Sequence, residues 1–263
     1  MDWLQLVVLA LIQGITEFLP VSSSAHLILP GKLFGWPDQG LAFDVAVHVG
    51  SLAAVLAYFR RDLMGFAVGG WRAIAQRQVT EPARELAQLA VATLPIVLAG
   101  LVVSDWVASE ARNLLVIGLT TIVFGLLLGY ADRRHGERAV LSWTDALVIG
   151  AMQVLALIPG TSRSGITMTA ALLLGLSRVS AARFSFLLSI PTIAGAGLLA
   201  GVELAAAEHH LPWSVLGTGA LLAGLAAYAC IGTFIALVER TGMLPYVIYR
   251  LLLGTVLLTI WMA

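Results

Sequence analysis

The chain has 263 residues, of which 59% are hydrophobic and 11% are charged, and its formal net charge is zero. Because a soluble domain carries about 25% charged residues, this composition indicates a polytopic membrane protein and excludes a soluble one with a single anchor. The balanced charge excludes a polybasic nucleic-acid-binding protein. The single cysteine, Cys230, excludes an internal disulfide or a thiolate metal site.

Ten apolar segments follow one another along the chain, and all are predicted to be helices. Only helices satisfy their own backbone hydrogen bonds in lipid, and no alternating barrel pattern is present. The first two segments are short and join at Pro20, and the sixth and seventh join at Pro159-Gly160. A full crossing needs about 20 apolar residues, so each pair is predicted to form a re-entrant hairpin. The ten segments are 2–19, 21–35, 41–59, 86–107, 113–130, 142–158, 162–176, 180–202, 213–238 and 245–262.

The connection 60–85 is rich in arginine and is predicted to be a long loop. With one hairpin and three crossings in each half, this connection lies on the same side of the membrane as 131–141, 176–183 and 239–244. These four connections contain eleven of the fifteen basic residues. The positive-inside rule therefore places this side in the cytoplasm.

Three crossings is an odd number, so the second half starts on the opposite side of the membrane from the first. The predicted fold is therefore an all-α polytopic membrane protein with an inverted-topology repeat, spanning about 1–130 and 142–262. The two halves form a single integral membrane domain over 1–263. Repeats of this kind usually place their binding site near the bilayer midplane, where broken helices meet.

The first polar pattern is Gln13 and Glu17, four residues apart and therefore on one helix face. Their oxygen atoms are predicted to bind a divalent cation, with substrate oxygens completing the shell. Glu17 is alternatively a general base. A third interpretation is a buried ion pair between Glu17 and Arg163 with a purely structural role.

Three serines and a histidine follow at the first hairpin turn. Ser23 is a candidate nucleophile, since a serine can attack phosphorus when a base takes its proton. His26, three residues further on, is the candidate base. Helix capping is the alternative for the serines, and a buried structural histidine is the alternative for His26. The predicted substrate-binding residues at this turn and before it are Gln13, Ser22 and Ser24.

Asp44 and His48 lie four residues apart in the third segment and so share a helix face. Asp44 is predicted to support the site from behind, and a helix cap is the alternative. A structural or pore-lining role is favoured over catalysis for His48.

The second hairpin turn reads Pro159-Gly160-Thr161-Ser162-Arg163-Ser164-Gly165. The start of the seventh segment presents free backbone N–H groups and a partial positive charge, which suits an anion. Arg163 adds a planar fork that matches phosphate oxygens. The pattern therefore predicts a phosphate or diphosphate site, and a buried turn with Arg163 bound to a carboxylate is the alternative. The predicted substrate-binding residues here are Gly160, Thr161, Ser162, Ser164 and Gly165.

The sequence Gly14–His26 and the sequence Pro159–Gly165 resemble the two signatures of bacterial undecaprenyl-diphosphatases, the bacitracin-resistance family. The likeness extends over the whole chain in length, segment number and motif placement. It implies a phosphatase that hydrolyses undecaprenyl diphosphate to the monophosphate and inorganic phosphate. This reaction recycles the lipid carrier for peptidoglycan and cell-wall synthesis, supports cell shape and confers antibiotic resistance.

The resemblance also implies dependence on a divalent cation, Mg²⁺ or Ca²⁺, and an active site in the inner membrane that opens to the periplasm. Carried over by motif, the catalytic residues are Glu17, Ser23, His26 and Arg163, with Glu17 and Gln13 at the metal. The first motif position of the family is Glu or Gln. Because Gln13 cannot act as a base, the mechanism is expected to depend on Glu17.

In the expected mechanism, Ser23 attacks the terminal phosphorus or orients a water molecule that does, and His26 relays the proton. The main alternative is a lipid-phosphate transporter or flippase that uses the same midplane site. A further alternative is a protein that binds a lipid diphosphate without turning it over. The predicted partners are the polyprenyl diphosphate substrate and membrane lipids. The preferred metal, the polyprenyl length and the oligomeric state, including a homodimer, stay open.

Overall fold

The computed structural model describes residues 2–37, 39–106, 113–206 and 212–262. Within these ranges the regular structure consists of α-helices and one short 3₁₀ turn, Val154–Leu157, with no β-strand. The helices are α1 (Trp3–Phe18), α2 (Ser23–Phe34), α3 (Leu41–Tyr58), α4 (Arg60–Ala75), α5 (Glu81–Trp106), α6 (Leu114–Asp132), α7 (Trp143–Gln153), α8 (Arg163–Leu173), α9 (Arg178–Ala206), α10 (Trp213–Thr241) and α11 (Leu244–Met262).

Six of the described helices are long and apolar enough to cross a membrane. Three of them, α3, α5 and α6, lie in the first half of the chain, and α9, α10 and α11 lie in the second. The predicted class, an all-α polytopic membrane protein, is therefore confirmed. The inverted orientation of the two halves stays a prediction.

The two predicted hairpins consist of short helices. Helix α1 has 16 residues, α2 has 12, and α7 and α8 have 11 each. At about 1.5 Å per residue none of them reaches across a hydrocarbon core of about 30 Å. The helix is interrupted before a proline in both hairpins, because proline pushes the preceding residue out of helical geometry. Accordingly Leu19, before Pro20, and Ile158, before Pro159, are both extended.

The prediction of a loop over 60–85 is wrong, because most of it is helical. Helix α4 covers Arg60–Ala75, and α5 already begins at Glu81. The apolar run in α4, Leu63–Trp71, is only nine residues long and has charged residues on both sides. It is far shorter than the roughly 20 apolar residues of a membrane crossing, so it does not stand out as a helical segment. Phe66 is buried on the inner face. Arg183 of α9 binds both Asp62 and Glu85 and so fixes α4 beside α5.

The hairpins are held by long helices of the opposite half. Helix α1 packs against α10, and α7 packs against α5. Gly14 permits the first contact, since a Cβ atom there would lie 2.3 Å from the backbone oxygen of Ala223. Close approach through small residues is how membrane helices gain packing energy without a hydrophobic effect between them. Helices α6 and α11 pack together beside both hairpin turns.

Candidate active site

The two hairpin turns have the same local backbone. Ser22 and Ser162 are the residues before α2 and α8, with φ of 74° and 71° respectively. A non-glycine residue with positive φ is uncommon and strained, and such residues concentrate at functional sites. In each turn the hydroxyl lies near that of the serine two residues on, at 3.1 Å for Ser22–Ser24 and 3.3 Å for Ser162–Ser164.

The turns contact each other through reciprocal hydrogen bonds. The backbone N–H of Gly160 donates to Ser24 Oγ at 3.3 Å, and Ser164 Oγ donates to the backbone oxygen of Leu19 at 2.8 Å. The two turns therefore form one polar centre, as the sequence predicts, although Ser22 and Ser162 are 140 residues apart in the chain. Ser162 also caps α8, because its Oγ accepts the N–H of Gly165 at 3.2 Å.

Glu17 lies between the two turns and contacts Ser23 at the first turn and Arg163 at the second. Its Oε1 accepts from Arg163 Nη2 at 2.9 Å, and its Oε2 accepts from Ser23 Oγ at 3.4 Å. The side chains of Glu17 and Arg163 are only 9% and 11% exposed. Arg163 also donates to the backbone oxygen of Ser185 at 3.2 Å, which leaves further guanidinium N–H groups for a ligand.

The amide of Gln13 completes the acidic side of the centre. Its Nε2 donates to Glu17 Oε2 at 2.9 Å and lies 3.1 Å from His48 Nε2. His48 Nδ1 lies 2.7 Å from the backbone oxygen of Asp44. Because a carbonyl only accepts, Nδ1 carries the proton and neutral His48 accepts from Gln13. His48 therefore belongs to the site, and the backbone of Asp44 sets its tautomer. The Asp44 carboxylate itself accepts from Gln39 Nε2 at 3.0 Å.

Two buried polar atoms at this centre have no hydrogen-bond partner among the described residues. They are Gln13 Oε1 and Thr161 Oγ1, one on each hairpin, and both side chains are fully buried. Buried polar atoms almost always have a partner, so each exception calls for a missing ligand, ion or water. The predicted site therefore contains two buried polar atoms that a ligand, an ion or water could bind.

The residues around Glu17 fit the predicted divalent cation in part. Glu17 and the unprotonated His48 nitrogen both contact the amide nitrogen of Gln13. The oxygen of the same amide has no partner among the described residues. No group of three or more His, Cys, Asp or Glu side chains in the described part of the chain is arranged for a metal. A cation here would therefore need the Gln13 oxygen together with substrate or water oxygens.

His26 is buried beside the first turn, and neither ring nitrogen is directed to Ser23. Nδ1 lies 2.7 Å from the backbone oxygen of Ser22, and Nε2 lies 2.6 Å from the hydroxyl of Tyr249. The two rings are stacked, with centroids 5.4 Å apart. The geometry does not support the prediction that His26 takes the proton of Ser23, since Glu17 is the group that contacts the hydroxyl.

Arg250 of α11 holds both turns, and sequence reasoning did not assign it to the site. It is fully buried and donates to the backbone oxygens of Pro20, Gly160, Thr161 and Thr121, at 3.0 to 3.2 Å. An arginine in a membrane helix is costly and is usually functional. That signal was available in the sequence, because Arg250 interrupts the last apolar segment. Tyr249 had no comparable signal.

The second turn is also held tightly against α6. Thr120 Oγ1 donates to the backbone oxygen of Pro159 at 2.6 Å, and Thr121 Oγ1 donates to that of Gly160 at 3.3 Å. Gly160 has φ of 91°, and a Cβ atom there would lie 2.1 Å from Thr120 Oγ1. Only glycine fits this position, so the turn requires it for conformation and for space.

Comparison with known proteins identifies the family to which this centre belongs. A family model described as "Bacitracin resistance protein BacA" matches residues 6–256. The chain is a member of that family. It is 54% identical to a protein named "Undecaprenyl-diphosphatase" from Hahella chejuensis, over 100% of this chain and 99% of the relative. Proteins of the same name from Alcanivorax borkumensis and Chromohalobacter salexigens are 53% and 55% identical, each over 100% of both chains.

Proposed function

We propose that this protein is an undecaprenyl-diphosphate phosphatase, which releases inorganic phosphate from undecaprenyl diphosphate and returns undecaprenyl phosphate. The full-length relatives that carry the name of this activity support the proposal. The product is the lipid carrier for peptidoglycan synthesis, so the enzyme supports cell-wall biogenesis and cell shape. Removal of the diphosphate also accounts for the bacitracin resistance in the name of the family.

The observation that carries the proposal is the contact of Glu17 with both turns. A carboxylate that contacts a hydroxyl at 3.4 Å and an arginine at 2.9 Å combines a base, a nucleophile and an anion-binding group in one place. Phosphoryl transfer needs mainly positioning and charge stabilisation, and this centre supplies both. The buried location strengthens each electrostatic interaction, because water does not screen it.

The residues act in a defined order in the proposed reaction. The terminal phosphate binds Arg163 and the backbone N–H groups at the start of α8, which weakens the hold of Arg163 on Glu17. Ser23 Oγ then attacks the terminal phosphorus while Glu17 takes its proton. The bond from that phosphorus to the bridging oxygen breaks, and undecaprenyl phosphate leaves. Glu17 passes its proton to the leaving phosphate oxygen and is a carboxylate again. It then takes a proton from the water that attacks the phosphoserine and returns that proton to Ser23 Oγ as the Ser23 O–P bond breaks and inorganic phosphate leaves.

The alternative within this mechanism is direct attack by water that Ser23 and Glu17 orient. Replacement of Ser23 by alanine separates the two routes. If Ser23 is the nucleophile, Ser23→Ala loses at least about 1,000-fold in kcat, and a rapid acid quench of the wild type traps phosphoserine. Activity within tenfold of the wild type would assign the attack to water.

His26 is assigned a positioning role in this proposal. It connects the backbone of the first turn at Ser22 to Tyr249 of α11, and so fixes the turn that carries Ser23. Ser22, Ser24, Ser162, Ser164, Gly165 and Thr161 shape the two turns and their N–H groups around the phosphate.

We also propose that Mg²⁺ or Ca²⁺ binds at Glu17 and the amide oxygen of Gln13, with His48 behind them. The ion would neutralise charge on the diphosphate. The partnerless Gln13 oxygen supports this assignment. A chelator is then expected to abolish phosphate release, and added Mg²⁺ or Ca²⁺ to restore it. Full activity after exhaustive chelation would remove the ion from the proposal.

The site is proposed to open to the periplasmic side of the inner membrane. Thr121, which contacts the second turn, is seven residues from the α6 end at Leu114 and eleven from the end at Asp132. The end at Asp132 belongs to the arginine-rich side, which the positive-inside rule places in the cytoplasm. The polar centre is thus nearer the opposite face. A homodimer also stays a prediction, which light scattering of the purified protein would test.

The deciding experiment is phosphate release from undecaprenyl diphosphate by the purified protein in detergent. The wild type should turn over many times, and Arg163→Ala should be nearly inactive. A lipid transporter or a binding protein would release no phosphate, since neither function requires a bond to break. Stoichiometric binding of the diphosphate without turnover by the wild type would overturn the proposal.

A further inference from the structure

The arginine-rich side of the protein has a cavity of its own, away from the hairpin turns. A cleft of about 600 Å³ opens between the end of α6 and the turn from α10 to α11. Arg133, Arg178 and Arg240 line its rim, and Leu126, Val247 and Leu251 line its wall. The cleft is at the Asp132 end of α6, eleven residues from the contact of Thr121 with the second turn. It is therefore separate from the candidate active site.

The arginines at the rim differ in how far their charge is compensated. Arg178 binds both carboxylate oxygens of Asp132, at 2.7 and 3.1 Å, and Asp132 also accepts the N–H of Met243 at 3.1 Å. This network fixes the shape of the rim. Arg133 and Arg240 are exposed, and neither has an ion-pair partner within 4 Å in the ranges that the structure describes.

The charge around the cleft remains positive when its acidic neighbours are counted. Besides Asp132, the carboxylate of Glu239 acts on Arg178, whose Nη1 also contacts the Glu239 backbone oxygen at 3.5 Å. Arg134 lies next to Arg133 and stacks over the ring of Tyr130, 5.3 Å from its centre. The three arginines that line the cleft thus outnumber the two neighbouring carboxylates, Asp132 and Glu239, by one positive charge, and Arg134 lies next to them in the chain.

We propose that this cleft binds an anionic glycerophospholipid of the cytoplasmic leaflet, with the headgroup phosphate on Arg133 and Arg240 and an acyl chain along α6 and α11. Basic pockets between membrane helices on the cytoplasmic side recognise such headgroups. The apolar wall favours a lipid over free phosphate, which would gain nothing from it. Because α6 and α11 both contact the hairpin turns, a lipid between their ends would brace the pair that holds the active centre.

Lipid binding to the purified full-length protein tests this proposal without reference to enzymatic activity. The protein in neutral detergent is titrated with phosphatidylglycerol or with phosphatidylcholine, and bound lipid is counted by native mass spectrometry. The cleft variant is Arg133→Gln/Arg240→Gln. The matched control is Arg61→Gln/Arg72→Gln on α4, which removes two exposed arginines from the same side of the protein. Arg133→Lys/Arg240→Lys retains the charge and reports on folding.

The wild type should bind one phosphatidylglycerol at least tenfold more tightly than phosphatidylcholine. The cleft variant should weaken that binding on the order of 30-fold, at about 1 kcal/mol for each arginine, while the control and the lysine variant change it by less than about threefold. Equal losses in the cleft variant and the control would show non-specific surface charge and overturn the proposal. Displacement of the lipid by millimolar inorganic phosphate, or tighter binding of undecaprenyl phosphate, would overturn the assigned occupant.

Discussion

The two hairpins have similar turns, at Ser22 and Ser162, but differ in how well their polar groups are satisfied. Gln13 in α1 and Gln153 in α7 occupy matching places, and both are fully buried. Gln153 is satisfied at both ends, since Nε2 donates to the Ala92 oxygen at 3.2 Å and Oε1 accepts from Thr192 at 3.3 Å. Gln13 has an oxygen without a partner. The first amide therefore awaits a ligand, and the second is part of the scaffold.

The same contrast holds four residues further along each hairpin. Glu17 has its counterpart at Leu157, so only the first hairpin contributes a carboxylate. The second contributes the cation at Arg163, where the first has Ser23. Each hairpin alone carries half of the chemistry, and the contact of Glu17 with Ser23 and Arg163 joins the halves. The two hairpins thus have similar turns, and the residues that differ between them, Glu17 against Leu157 and Ser23 against Arg163, provide the chemistry.

The largest effect is expected from Glu17→Gln, which removes the base but keeps the shape. We expect phosphate release to fall by about 1,000-fold or more, because general-base catalysis contributes about 10²–10⁴ and the charge near the phosphate also changes. The matching change Leu157→Met in the second hairpin should leave the rate within about twofold. The two rates are measured with detergent-solubilised undecaprenyl diphosphate. Similar losses in both variants would contradict the assignment of the chemistry to one hairpin.

Arg250→Met should produce the largest loss of stability. It removes the donor from the backbone oxygens of Pro20, Gly160 and Thr161 at the two turns and from that of Thr121 in α6, although Gly160 still accepts from Thr121 Oγ1. Each buried unsatisfied group costs about 1–3 kcal/mol. A loss of at least about 2 kcal/mol in the free energy of unfolding is expected, mainly from the Pro20 and Thr161 oxygens, measured by denaturation with sodium dodecyl sulfate. Arg250→Lys should lose less, because it still reaches some of the oxygens. An unfolding curve for Arg250→Met that matches the wild type would show that Arg250 does not stabilise the turns.

The two glutamines should separate activity from stability. Gln13→Leu removes an amide whose oxygen is already partnerless but whose nitrogen contacts Glu17 and His48. We expect a 10- to 100-fold loss of phosphate release with about 1–2 kcal/mol of destabilisation. Gln153→Leu removes the hydrogen bonds to the Ala92 oxygen and from Thr192 Oγ1, so about 1–3 kcal/mol of stability should be lost with activity within threefold. The comparison is broken if the two variants show the same pattern in rate assays and unfolding curves.

The smallest effect is expected at the strained serines. Ser22→Gly and Ser162→Gly both relieve a positive φ, which costs a non-glycine residue about 1 kcal/mol or more. Ser162→Gly also removes the cap on Gly165, worth about 1 kcal/mol. Ser22→Gly should therefore stabilise the protein by up to about 1 kcal/mol, and Ser162→Gly should change it little. Unfolding midpoints of the two variants, measured side by side, check this difference. An equal gain in stability for both variants would show that the Ser162 cap on α8 contributes no stability.

Much of this molecule could be predicted from its sequence, because the bilayer restricts the structures that a chain can adopt. Apolar runs interrupted at Pro20 and Pro159 predict the two hairpins, and the expense of polar groups in lipid predicts that their turns meet. The helix over 60–75 was missed because its apolar run, Leu63–Trp71, is short and lies among arginines. The partners of His26 and Arg250 were missed because α11 meets the turns only through tertiary packing, about 90 and 230 residues away along the chain.

The central claim is that Glu17 and Arg163, from different hairpins, act as one unit on the phosphate. A double-mutant cycle on phosphate release tests it directly, with Glu17→Gln, Arg163→Ala and the combined variant. If the two groups act together, the rate of the double variant should lie within about threefold of the rate of the slower single variant. Losses that multiply, so that the double variant falls by the product of the two single effects, would contradict the account.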